Sequence, residues 1–128
     1  MRMPFLKRTL AMAFAMGVGA AIFSATPASA TSYNGCAHPR VCFYLTDSDW
    51  NAGSPTAAYQ DITSYYQTLG SKSKGANYVY NTRNTDLAYL RYTYAGDTYY
   101  TCLAPNEGVY FSSSFTVTGI EIQDDSTC

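Results

Sequence analysis

From Leu87 to Leu103 the chain reads LAYLRYTYAGDTYYTCL, with apolar and polar side chains alternating on both sides of a glycine. Alternation with period two marks a strand with one buried face, and a Gly-first dipeptide between two such runs marks a tight hairpin turn. A turn at Gly96-Asp97 sets Tyr94 opposite Tyr99, Tyr92 opposite Thr101 and Leu90 opposite Leu103 on the apolar side. Arg91, Thr93, Tyr100 and Cys102 then share the other side. Shorter runs rich in β-branched and aromatic residues predict strands at Val41 to Leu45, Asn77 to Asn81 and Phe115 to Ile122, the last preceded by a short run at Val109 to Phe111 and a serine run.

The stretches between these runs are turn-like. Thr46 to Thr56 holds Asp47, Asp49, Asn51, Gly53 and Pro55 and reads as a loop, with Trp50 folded back over the core as a plug. Ala57 to Leu69 reads two ways, as a short strand or a helical turn. Tyr59, Ile62, Tyr66 and Leu69 recur at helical spacing, but Asp61-Ile62-Thr63 is strand-like. Gly70 to Gly75 (GSKSKG) reads as a flexible loop with Lys72 and Lys74 in solvent. Short strands with no credible helix between them predict an all-β sandwich or barrel. GANYVYN and TGIEIQD lie 43 positions apart, which suggests two copies of one unit and, with antiparallel pairing, a pair of Greek keys.

The N-terminal pattern differs. Arg2, Lys7 and Arg8 precede an apolar run from Leu10 to Phe23 and then Ala28-Ser29-Ala30, the layout of an export signal spanning residues 1–30. The run is shorter than the roughly 20 residues of a bilayer span, so a secreted, extracellular chain beginning at Thr31 is expected, with no membrane association after cleavage. Residues 31–128 are enough for a single domain, expected to be monomeric. That part carries five basic and nine acidic side chains, a net charge of −4, which argues against a nucleic-acid partner. Its four cysteines, Cys36, Cys42, Cys102 and Cys128, predict two disulfides in an exported chain. Three pairings are possible. Cys36 with Cys42 and Cys102 with Cys128 is favoured, because the first closes a short loop and the second staples the C-terminus to the hairpin.

Chemistry finds few footholds, so no catalytic residues, metal ligands or cofactor are assigned. The lone histidine, His38, lies beside Pro39 with no evident partner for nucleophile activation, and cysteines held in disulfides cannot attack. Asp47-Ser48-Asp49-Trp50-Asn51 begins like a calcium loop, but Ala52 and Ala58 stand where such a loop needs its turn glycine and bidentate glutamate. Thirteen tyrosines suggest a surface that stacks sugars or docks proteins, although strands with one buried face also favour tyrosine.

Cys36-x5-Cys42-Phe43-Tyr44, the Asp-rich loop through Trp50 and Gly53, and Ala76-Asn77-Tyr78-Val79-Tyr80-Asn81-Thr82 together resemble the secreted bacterial peptidase inhibitor family I36 of the metalloproteinase-inhibitor type. Leu90-Arg91-Tyr92 followed by Thr101-Cys102-Leu103 resembles that family's strand and reactive loop. The resemblance implies a βγ-crystallin-like Greek-key sandwich of two motifs. It also implies an inhibitor of thermolysin-like extracellular peptidases that presents Cys102-Leu103 within a loop of Thr101, Cys102, Leu103, Ala104 and Pro105. The alternative is a non-catalytic binding or structural module whose tyrosine-rich surface meets glycan, cell wall or protein. An inhibitor needs Leu103 held out in a taut loop, whereas a binding module needs aromatics aligned in a groove.

Overall fold

The computed structural model describes residues 32–128. The predicted export signal and its boundary at Thr31 lie outside the described residues. Eight strands and one short helix follow in order: β1 (Val41–Tyr44), α1 (Asp47–Asn51), β2 (Ala57–Tyr59), β3 (Gln67–Thr68), β4 (Tyr78–Asn81), β5 (Leu87–Tyr94), β6 (Asp97–Leu103), β7 (Gly108–Tyr110) and β8 (Phe115–Gln123). They form two antiparallel sheets of four strands, ordered β2-β1-β4-β7 and β3-β8-β5-β6. Each half of the chain therefore gives three strands to one sheet and lends its third, β3 or β7, to the other.

Alternation explains the packing between the sheets. Val41, Phe43 and Val79 from the first sheet join Ala88, Leu90, Leu103, Val117, Ile120 and Ile122 from the second in one buried cluster. All four residues of β1 are buried, since Cys42 and Tyr44 on its other side are covered by a smaller cluster with Cys36, Trp50, Tyr78 and Tyr80. Trp50 is thus a plug over this satellite cluster and not over the core between the sheets. Both expected disulfides are present, Cys36 to Cys42 and Cys102 to Cys128. No helix among the described residues is long and apolar enough to cross a membrane.

Three expectations need correction. The central hairpin turns at Ala95-Gly96 and not at Gly96-Asp97: both residues have positive φ, 53° and 86°, and Tyr94 pairs with Asp97. Tyr92 consequently faces Tyr99, Leu90 faces Thr101 and Ala88 faces Leu103. This is a slip of two residues, and because the pleat also has period two, every side chain keeps its expected face. Thr46 to Thr56 is not all loop, because α1 starts there on a capping box. The Thr46 Oγ1 accepts from the Asp49 N–H at 3.1 Å, and an Asp49 carboxylate oxygen accepts from the Thr46 N–H at 3.1 Å. The GSKSKG stretch is pinned where looseness was expected: Ser73 is buried with its Oγ 2.8 Å from the Tyr59 hydroxyl, and the Gly75 N–H donates to the Val117 carbonyl. Lys72 and Lys74 do face solvent, and the ambiguous Ala57 to Leu69 stretch resolves into the two short strands β2 and β3.

Candidate functional site

The outer face of the β2-β1-β4-β7 sheet collects aromatic rings. Along β4, Val79 points into the core, so Tyr78 and Tyr80 point outward, and β7 sets Tyr110 and Gly108 beside them in register. Helix α1 delivers Trp50 to the same face. Tyr33 comes from the segment just before the Cys36 to Cys42 bridge, where its backbone pairs with Cys36. The rings form two stacks. In one, Trp50 lies nearly parallel to Tyr78 at 4.7 Å, and Tyr110 leans against Tyr78 at 4.9 Å with its ring tilted by 51°. In the other, Tyr33 stacks on Tyr80 at 4.5 Å.

These stacks line an open groove of about 270 Å³ with Gly108 on its floor. A side chain at Gly108 would crowd its wall, since a Cβ there would approach a Tyr80 ring carbon to 3.0 Å. Hydrogen bonds hold the lining in place. The Tyr80 hydroxyl donates to the Asn106 carbonyl at 3.1 Å, the buried Tyr44 hydroxyl donates to the Asn34 carbonyl at 2.7 Å, and the Asn34 amide donates to the Trp50 carbonyl at 2.9 Å. Burial pushes Tyr44 up to about 12, with Tyr33 and Tyr80 adding to the shift, and burial likewise raises Tyr80. Both phenols therefore remain neutral donors well above physiological pH. No charged residue lines the groove, and an Asp47 carboxylate oxygen, which accepts from the Asn77 amide at 3.1 Å, stands by Tyr78. Such a surface can hold a neutral, partly apolar ligand by stacking and by hydrogen bonds at its rim.

The residues singled out from the sequence as an inhibitory loop lie elsewhere. Thr101, Cys102 and Leu103 belong to β6 and are paired with β5. Leu103 is 4% exposed and its side chain is part of the core, and the fully buried Asn81 amide donates to the Leu103 and Ala104 carbonyls at 3.2 and 3.3 Å. The expectation of an exposed loop across Cys102-Leu103 is corrected on this point, because the alternation that buries Leu90 also buries Leu103. Only Ala104 and Pro105 leave the strand, into a turn with Asn106 at positive φ. His38 sets Nδ1 3.0 Å from the Thr82 carbonyl, and Asp49 is occupied in the helix cap. The sequence reads Trp50 as a plug and sets Tyr78 and Tyr80 in a strand, without assigning a site to them or to Tyr33, Gly108 and Tyr110. The signal for Tyr110 and Gly108 was present in the short GVY run, but only the exchange of third strands brings that run next to β4. Compared with known families, with curated proteins and with solved structures, the chain matches none.

Proposed function

We propose that this chain is a secreted, non-catalytic binding module that holds a neutral, partly apolar ligand in the aromatic groove on its first sheet. The observation that carries this reading is the pair of stacked rings Trp50-Tyr78 and Tyr33-Tyr80, with Tyr110 tilted against Tyr78, lining a groove with Gly108. The groove's rims stay open to a ligand, since Tyr33 and Tyr110 are 50% and 53% exposed. The fold we assign is a βγ-crystallin-like pair of Greek keys, supported by the exchange of β3 and β7 between the two four-strand halves. Secretion is supported by the N-terminal pattern and by two disulfides in a small domain.

Inhibition of a thermolysin-like peptidase through Cys102-Leu103 is the weaker reading. A cleft would have to peel β6 from β5 and draw Leu103 out of the core before it could bind that bond. Trp50, the single tryptophan of the chain, stacks on Tyr78 in the groove and so reports on its contents. Titrating the mature protein with neutral oligosaccharides and with peptides should give a saturable change in Trp50 emission for at least one class. Tyr33→Ala and Tyr110→Ala should each weaken that binding tenfold or more. Flat titrations with both classes overturn the proposal, and so does binding unchanged in both variants.

A further inference from the structure

β7 is the outer strand of its sheet, and its hydrogen-bonding pattern follows from its ends. The Asn81 N–H donates to the Glu107 carbonyl and the Phe111 N–H to the Asn77 carbonyl, so the intervening Val109 is the next residue bonded to β4. The N–H and C=O groups of Gly108 and Tyr110 therefore point away from the sheet. Among the described residues none bonds to them. β7 also divides two hollows. The aromatic groove lies on its outer side, and a second hollow of about 160 Å³, lined by Tyr92, Thr101, Phe111 and Phe115, lies on its inner side. Val109 and Tyr110 line both.

The geometry points to β7 as the docking edge for an extended peptide segment of a protein partner, added as a fifth strand to the first sheet. This rests on the groove-binding reading and names its ligand class. A strand added there meets two donors and two acceptors at the spacing its own backbone presents, and its alternate side chains fall to opposite faces. One set enters the aromatic groove and the other the hollow by Phe111 and Phe115. A sugar chain uses stacking on one face but has no use for the outward amides or for the second hollow. The strand carries no charge of its own, and the nearby carboxylates are Asp47 beside Tyr78 and Glu107 next in chain to Gly108. The partner segment is thus apolar or aromatic at alternate positions and neutral or basic overall. β6 also turns backbone groups outward at Thr98, Tyr100 and Cys102, which makes pairing with a second copy the competing use of an edge.

A phage-displayed library of random dodecapeptides selected on the mature protein tests this, followed by synthesis of the enriched peptides. The expected result is enrichment of alternating apolar sequences that slow amide exchange at Gly108 and Tyr110 at least tenfold. Backbone N-methylation of the peptide at alternate residues should weaken binding tenfold or more in one register and leave it unchanged in the other. Three outcomes overturn the inference: no enrichment, protection at Thr98 and Tyr100 in place of Gly108 and Tyr110, or a peptide-free dimer that protects the β7 amides. A neutral oligosaccharide that shifts Trp50 emission while no peptide binds would sink the strand-addition inference alone. Failure of both classes would sink the groove reading with it.

Discussion

Tyr44 is fully buried, and its hydroxyl donates to the Asn34 carbonyl, which ties the loop carrying Tyr33 to β1. Replacing it with Phe removes that bond and leaves a carbonyl to find water, a loss of about 1 kcal/mol in urea unfolding at neutral pH. The raised pKa adds a pH dependence with a definite sign. Below about pH 10 the phenol is protonated in both the folded and the unfolded chain, and its contribution is fully present. Between pH 10 and about 12 the unfolded chain gives up the proton while the fold keeps it, so stability falls across that window. Tyr44→Phe should therefore lose less stability than the parent from pH 10 to 12, and equal losses would show that Tyr44 is not the cause. Leu103 lies in the core between the sheets. A carboxylate placed among Ala88, Leu90 and Ile122 has no partner, so Leu103→Asp should cost about 4 kcal/mol or more and abolish the cooperative urea transition. A folded Leu103→Asp protein with the parent's midpoint would mean that Leu103 is not in the core.

At the scale of elements, what could be read from the sequence was whatever alternation alone decides. The faces of β5 and β6 and both disulfides followed from local pattern and loop length. The turn did not, because Ala95 is a poor residue at positive φ and the Gly-first turn was locally cheaper. Cross-strand packing overrode that preference: the observed register stacks Tyr92 on Tyr99 at 5.7 Å. Arg91 fits the same logic, since its guanidinium lies across Gly119 and donates to the hydroxyl and carbonyl of Thr118 at 3.1 and 3.2 Å, where the β5 and β8 ladder shifts register. Ala95→Asn restores the preferred Asn-Gly turn, and we expect it to raise stability by about 0.5 kcal/mol in thermal unfolding. A destabilised variant would show that the turn needs something other than left-handed backbone. The disulfides separate by loop length, with sequence separations of 26 and 6. Loop-closure entropy gives about 3.5 kcal/mol for Cys102-Cys128 and about 2.2 kcal/mol for Cys36-Cys42. Paired Cys→Ala variants should lose stability in that order in urea. The reverse order would place the main value of Cys36-Cys42 in its burial beneath Tyr44 and Trp50.

Across the whole molecule the exchange of third strands has the widest consequence, and it was the part least visible in the sequence. The 43-residue echo suggested two similar halves, but nothing in the pattern of a three-residue strand says which sheet will take it. The groove depends on that choice, for Tyr110 and Gly108 come from the second half while Trp50, Tyr78 and Tyr80 come from the first. Exchange also couples the halves in folding. Without β7 the first sheet loses the strand that covers β4, without β3 the second loses the strand beside β8, and both share a single apolar core. Neither half can bury its apolar face alone, so unfolding should be one cooperative event despite the apparent repeat. Trp50 emission reports on the first half, and amide exchange at Leu90 and Ile120 reports on the second. In urea the midpoint from Trp50 should coincide with that from far-UV circular dichroism, and the Leu90 and Ile120 amides should exchange with the global unfolding free energy. The separate fragments 31–83 and 84–128 should each be unfolded and should regain Trp50 emission only on mixing. A first fragment that folds alone, or two resolved transitions, would mean that the halves are independent units and that the groove is assembled by docking after folding.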